Sequence, residues 1–474
     1  MKHAPFRFAS VALFTAAALA GCAVGPNYVR PTAPLSPSFK EAAGWSLAAP
    51  ADTLDRGDWW TLFGDATLNG LEGRVQVSNQ NIIAAEAAYR QARGVVSEQQ
   101  ATLFPTVNLT GNGTESGSGG KTAASQNTSQ YRASLGTTWE ADVWGRIRRS
   151  IEAAKSNAEA SAADLAAARL SVQGELADNY FGLREADAEI ALDRATVEAY
   201  QRELTIAQNR YNAGVTVKSD VFQAQTQLAN AQADLAGLGQ QRANYEHAIA
   251  ILVGEAPGAF SLAAAPWVET VPVMPPAVPS SLLQRRPDIA SAERRVRTAN
   301  AQIGIQTAAY FPDLTLTGAY GFAANELGTL IKSSTSLWSY GASVAETVFD
   351  AGARRARVNE AKAARDQAVA KYRETVLEAL GQVENQLIAT RVLAQQGDLR
   401  RQASAAADAA ETIVANQYKS GQVRYTDVVT AQAAAYNARR ALAQSAAQRQ
   451  TTAVALIQSL GGGWKSGADP KVSR

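Results

Sequence analysis

Histidine, cysteine and methionine are nearly absent from this 474-residue chain, which holds two His, one Cys and two Met. A single cysteine forms no internal disulfide, and the one histidine beyond residue 21 builds no imidazole metal site. The shortage of thioethers likewise argues against a relay for soft metal ions. Neither sign of charge is in excess. There are 45 Lys+Arg against 43 Asp+Glu, and the first 21 residues contain Lys2 and Arg7 but no acid, so the signs balance beyond them. That removes the electrostatic footprint of a nucleic-acid partner. Enzyme signatures are missing too. There is no Gly-x-Ser-x-Gly, and no paired-carboxylate cleft is visible. Ser118-Gly-Gly-Lys-Thr122 resembles the end of a phosphate-binding loop, but the required first glycine is Glu115. His247 stands beside Glu246 with no second imidazole. Neither catalysis nor a bound cofactor is expected.

What is present begins with an export signal. Lys2 and Arg7 precede a short apolar stretch, 11–19, too short to remain as a spanning helix. It runs into Leu19-Ala20-Gly21-Cys22, which resembles the bacterial lipobox. Residues 1–21 are read as a lipoprotein signal peptide, with Cys22 as the acylated first residue of the mature chain. Covalent lipid is then its only added group, and several acyl chains anchor firmly where one is marginal. Ala23 follows, where an inner-membrane retention signal would place aspartate. The mature chain is expected in the outer membrane, extending into the periplasm.

The remainder is duplicated at an offset of 207 residues. Phe104-Pro105 matches Phe311-Pro312, Leu109-Thr110-Gly111 matches Leu316-Thr317-Gly318, and Gly145 matches Gly352. Tyr211, Gly214, Asp220-Val221 and Ala224-Gln225 match Tyr418, Gly421, Asp427-Val428 and Ala431-Gln432. Prolines mark the boundaries, because none occurs between Pro105 and Pro257 or between Pro312 and Pro470. The expected organisation is an extended arm (22–61), a first repeat (62–256), a Pro-rich linker (257–279), a second repeat (280–461) and a tail (462–474).

Each repeat combines two periodicities. Tyr131, Ala133, Leu135, Thr137 and Trp139 alternate with Arg132, Ser134, Gly136, Thr138 and Glu140. Leu314, Leu316, Tyr320 and Phe322 alternate with polar residues and glycine, as do Trp338, Tyr340, Ala342 and Val344. Such runs, about ten residues long with terminal aromatics, suit transmembrane β-strands. The expected strand pairs lie near 105–143 and 312–349, with polar connectors at 111–130 and 323–336 as external loops. Behind them come Ala-rich, proline-free segments, 146–212 and 354–419. The first, at ~1.5 Å per residue, would reach on the order of 100 Å. Each is followed by a glycine turn and a second helix, so each repeat contains a long helical hairpin.

Four membrane strands cannot close a barrel, and open edges are not tolerated in lipid. Other copies of the chain must therefore complete the sheet. Two copies would supply eight strands and three would supply twelve; the pattern alone does not choose.

The start Cys22-Ala-Val-Gly-Pro-Asn-Tyr-Val-Arg-Pro31, then Asp58-Trp59-Trp60, Phe63-Gly64-Asp65 and Leu68, and the duplicated Tyr-x-x-Gly…Asp-Val-x-x-Ala-Gln carry a resemblance. Together they resemble the TolC/OprM outer-membrane factors, in their NodT-like lipoprotein branch, over essentially the whole mature chain. The resemblance implies a mixed α and β membrane protein of TolC-like fold. It implies a homotrimer with a twelve-stranded outer-membrane β-barrel, continued by a long periplasmic α-helical barrel. It further implies a passive exit duct for drugs or small solutes, served by a periplasmic membrane-fusion adaptor and an inner-membrane RND-type transporter. Two alternatives are an exit duct for type I protein secretion and a non-conducting, lipid-anchored coiled-coil scaffold. The lipobox favours solute efflux over the first, and the alternating strands disfavour the second.

The same resemblance implies a periplasmic gate at the hairpin turns, at Tyr418, Asp220, Asp427 and Arg424, with Gly214 and Gly421 marking the tips for adaptor contact. The chain departs from the family at Val423, which takes the place of the gate arginine and leaves Arg424 one position along. It departs again at Thr430, in place of a second aspartate. A looser gate is expected, resting mainly on a ring of Asp427 carboxylates. Read from the residues alone, Gly214 and Gly421 suit helix C-caps, Ser219 and Thr426 suit N-caps, and both aspartates complement helix starts.

The intact mass of membrane-extracted protein should equal the chain from Cys22 onward plus lipid. A mature mass without added lipid would reject acylation.

Overall fold

The computed structural model describes residues 23–33, 39–42, 57–117, 128–272 and 286–462. The signal peptide 1–21, Cys22, the phosphate-loop-like 118–122, the linker from 273 and the tail beyond 462 lie outside the described residues. The chain divides into two units, the first formed by Met1–Thr32, Ala88–Ala162 and Ser291–Arg373, the second by the remainder.

The first unit holds four strands, β1 (Thr106–Ser116), β2 (Thr128–Ala141), β3 (Asp313–Ala324) and β4 (Ser336–Ala345). They form one antiparallel sheet in the order β1-β2-β3-β4, so β2 and β3 join the strand pairs of the two repeats. The expected connectors are thereby shortened. β1 continues through 111 to Ser116, and β3 hands over to β4 through 325–335, where two short 3-10 turns form. In the latter the Thr335 hydroxyl donates to the Leu330 carbonyl at 2.6 Å and accepts from the Lys332 N–H at 3.3 Å. Side-chain bonding orders this connector where composition alone suggested a plain loop.

The register sorts the faces. Leu109 lies opposite Leu135, Leu135 opposite Tyr320, and Tyr320 opposite Trp338, which makes one apolar row across all four strands. Trp139 opposite Leu316 and Gly318 opposite Tyr340 extend that face. The other face carries Thr110 opposite Ser134 and Asn112 opposite Arg132, and the Thr110 and Ser134 hydroxyls bond at 2.9 Å. Directly opposed residues share a face, so one alternating pattern becomes one apolar and one polar surface. The apolar one is bare: Leu109, Trp338 and Tyr340 are 79%, 71% and 83% exposed. A contiguous patch of this kind needs a non-aqueous partner.

The arm docks at the foot of this sheet. The Val24 N–H donates to the Trp144 carbonyl at 3.0 Å, and Arg149 donates to the carbonyls of Val24 and Gly25 and to the Asn27 side chain. Gly25 has φ +94°, and a Cβ there would stand 2.4 Å from the Cα of Gly304. Only glycine permits that approach. Further along, the Tyr28 hydroxyl donates to Glu293 at 2.8 Å.

The second unit contains α1 (Ala66–Ser78) and the start of α2 (Gln80–Ala101). It also holds most of α3 (Arg146–Asn212) and α6 (Ala353–Lys419), all of α4 (Lys218–Leu252) and α7 (Tyr425–Ser459), and the first turn of α5 (Pro287–Ala308). Helices α3 and α6 each run 67 residues. Trp59, Trp60 and Phe63 are buried, and Phe63 packs 4.9 Å from Phe181 of α3. Asp65 caps α1 through the N–H groups of Thr67 and Leu68, and its other oxygen accepts from the Tyr180 hydroxyl at 2.6 Å. This gives the Trp-Trp…Phe-Gly-Asp motif a physical role: an aromatic plug joined to a helix cap.

Residues 260–270 have no strand partner, so side chains satisfy their backbone. The Leu262 N–H donates to Glu246, its carbonyl accepts from Arg242, and the Ala263 carbonyl accepts from Arg184. Arg184 and Arg242 share Asp187, which binds the first helix pair together. On the second repeat, Gln450 donates to the Val268 carbonyl and accepts from the Trp267 indole N–H. The segment that composition marked as an extended linker begins as a strap clamped to both repeats. His247 is exposed on α4, outside this network.

Two outcomes test these surfaces. Leu135→Lys should cost roughly 2–4 kcal/mol of folding free energy in lipid vesicles if the apolar row faces hydrocarbon, while Ser134→Lys should be tolerated. Equal effects would reject the assignment of faces. In the second unit, Glu72 of α1 is fully buried and neither carboxylate oxygen has a hydrogen-bond partner. Burial pushes its pKa up to about 9. The folded state thus holds a proton that the unfolded state releases near the ordinary carboxylate pKa. Stability falls as pH rises from about 5 to about 9 and flattens above. Glu72→Gln should raise thermal stability at neutral pH and remove that slope, as followed by circular dichroism; an unchanged slope would refute it.

Candidate functional site

Both helical hairpins end in the same turn. The Gly214 N–H donates to the Tyr211 carbonyl at 2.9 Å and the Val215 N–H reaches back five residues to Arg210 at 2.9 Å. In the second hairpin, Gly421 bonds Tyr418 at 2.9 Å and Gln422 bonds Gln417 at 2.9 Å. Gly214 and Gly421 have φ of +71° and +74°. These are left-handed Schellman-type caps, and each glycine supplies the conformation that lets two antiparallel helices follow one another.

The helices that follow each start two residues earlier than composition suggested. Helix α4 is capped at Val217 and α7 at Arg424, neither with a side-chain bond, so Ser219 and Thr426 lie inside the first turn. In α7 the capping oxygen comes from an acid instead: Asp427 accepts the Arg424 N–H at 3.0 Å, whereas Asp220 accepts the Thr216 hydroxyl, a side-chain donor. A carboxylate in the first turn reaches back to an orphan donor and meets the positive helix end, which a hydroxyl at that position does only in part.

The two tips meet in one apolar cluster. Ala207 of α3, Val221 and Ala224 of α4, and Tyr425 and Val428 of α7 are buried together, with Leu204, Val414, Tyr418 and Val429 packed around them. Tyr418 lies against Tyr425 with ring centroids 5.6 Å apart, and the Arg210 guanidinium stands 4.8 Å over the Tyr418 ring. Burial raises the pKa of both phenols. Burial also raises that of Glu203, which accepts a hydrogen bond from Gln432 of α7.

The expected gate residues therefore divide. Tyr418 belongs to the contact between hairpins, whereas Asp220 bonds Thr216 within its own hairpin. Asp427 and Arg424 are exposed, joined to each other only through the Arg424 backbone. Sequence reading missed Arg210, Tyr425 and Glu203. Tyr425 carries a faint signal, as it stands where the first repeat has Lys218, an aromatic for a charge at matched positions.

The surfaces of the first tip are apolar as well. Val215, Val217 and Phe222 are 64%, 64% and 54% exposed, with Lys218 5.3 Å over the Phe222 ring. No group of three or more His, Cys, Asp or Glu side chains that could hold a metal occurs among the described residues. What the tip offers is fixed turns, a carboxylate in the first turn of each following helix and a ring-and-cation contact between hairpins.

A family model described as outer membrane efflux protein matches residues 72–255 and again 278–462. Outer membrane protein OprJ of Pseudomonas aeruginosa is 29% identical over 473 residues, which cover 98% of each chain. The probable outer membrane lipoprotein SilC of Salmonella typhimurium is 26% identical over 97% of this chain and 99% of its own. Among solved structures, the outer-membrane channel OprN aligns with a TM-score of 0.86 and 30% identity over 94% of this chain and 100% of that one.

Proposed function

Because the chain belongs to the outer membrane efflux protein family, we propose that three copies assemble into a gated exit duct, the outermost stage of a tripartite pump. The fold is that of TolC-like outer-membrane channels, and the protein is an outer-membrane efflux channel. The observation that carries the proposal is the open-edged sheet. Among the described residues strands β1 and β4 have no outer partner, and the sheet bears a continuous bare apolar face. Three such sheets paired edge to edge give a twelve-stranded barrel wide enough for a lumen, whereas two would be filled by side chains. The polar row with Thr110, Ser134 and Arg132 then lines that lumen.

Transport through such a duct is passive. An inner-membrane RND-type transporter supplies the energy, a periplasmic adaptor grips the hairpin tips around Gly214 and Gly421, and drugs or small solutes pass. Cys22 carries the lipid. Ala23, its neighbour, lies so close to Gly145 that a Cβ there would approach it to 2.7 Å. Ala23, the residue after Cys22 in the chain, is thus held at the foot of the sheet. The probable lipoprotein SilC supports this anchor by likeness.

At the hairpin tips, three-fold symmetry would gather the Asp427 carboxylates into a ring at the entrance. Their exposure fits that role, and a carboxylate ring favours cations. Tyr418, Asp220 and Arg424 complete the gate. Asp427→Asn separates gate from cap, since asparagine caps a helix nearly as well as aspartate but carries no charge. In planar bilayers the variant should show a lower cation-over-anion permeability ratio and weaker block by divalent cations added from the periplasmic side. Unchanged selectivity and block would leave Asp427 as a helix cap only.

A further inference from the structure

We infer that Arg210 is a latch of the closed entrance: its guanidinium, seated on the Tyr418 ring, fastens the second hairpin to the first, and the duct opens when that contact breaks. This rests on the gate proposed above and adds to it a residue outside its carboxylate and tyrosine set.

Arg210 lies in the last turn of α3, and its own carbonyl is held by the Val215 N–H, so its backbone is fixed by the glycine turn. Its guanidinium is 4.8 Å from the ring centroid of Tyr418, which belongs to α6. Behind that ring stands Tyr425 of α7, 5% exposed and part of the cluster that joins the tips. A cation over an aromatic face is attracted by the ring quadrupole, more strongly where water is partly excluded. Both Arg210 and Tyr418 are half-buried, so the contact forms in such a place.

The duplication shows that the contact is not a shared scaffold feature. At the offset of 207 residues Arg210 matches Gln417, and Tyr418 matches Tyr211. At this matched position the cation occurs in the first repeat only. Tyr211 is 38% exposed, and no cation is recorded over its ring among the described residues. One hairpin supplies the charge and the other supplies the ring, which is what a releasable fastening between two elements requires.

Single-channel recording of the full-length protein tests this. Arg210→Gln installs the residue already present at the matched position of α6, and its helix propensity is close to that of arginine. It should raise the open probability on the order of tenfold in a trimer with three latches. Tyr418→Leu should do the same, the double variant should add nothing further, and Arg210→Lys should stay nearer the parent because it keeps a cation over the ring. Each variant is first shown to run as the parent's heat-modifiable oligomer. If Tyr418→Leu and Asp427→Asn alter opening or selectivity while Arg210→Gln does neither, the latch is overturned and the gate stands. Additive effects of Arg210→Gln and Tyr418→Leu would also overturn it. If none of the tip variants changes conduction, the gate falls and the latch with it.

Discussion

Strands β1 and β4 each leave a row of backbone N–H and C=O groups without a strand partner among the described residues. In hydrocarbon there is no water to bond them, and each unmet group costs several kcal/mol. The bare apolar face beside those edges rules out leaving them in water instead. One chain therefore cannot be the finished object. Closure by further copies, the lumen that closure creates and the symmetry that would gather the tips all follow from that one deficit in hydrogen bonding.

Away from the sheet the chain solves a different problem. Its long helices are rich in alanine, which allows close packing but buries little apolar surface per residue. Polar clamps supply the missing definition. Asp187 is shared by Arg184 and Arg242, Glu246 and Arg242 hold both backbone groups of Leu262, and Gln450 holds the strap from the second repeat. Such networks are directional, so they set register where a stripe of alanines would allow sliding. At the tips the apolar cluster around Tyr425 takes over, with the Arg210 contact at its margin.

Much of this was legible in the chain itself. Period-two alternation located the strands because a pleated sheet with one apolar face demands it, and the proline-free segments located the helices because proline would break them. Gly214 and Gly421 marked the turns, since a left-handed cap favours glycine. Strand ends and helix starts were less legible. The hydroxyls of Ser219 and Thr426 looked like caps, yet both helices start earlier and in α7 the acid Asp427 took the backbone bond, because cap position depends on where the preceding turn delivers the backbone.

The sequence by itself determined the duplication, the kinds of element, the two faces of the sheet and the need for further copies, all of which rest on local periodicity and on the chemistry of single residues. Tertiary structure alone decided which residues meet. Arg210 and Tyr418 are separated by 208 positions, and the Glu246 and Leu262 pairing and the Gln450 clamp likewise join segments that no local pattern connects. The reason is geometric: a helix presents a side chain in a direction set by its own turn, but the partner in that direction is chosen by how whole elements pack.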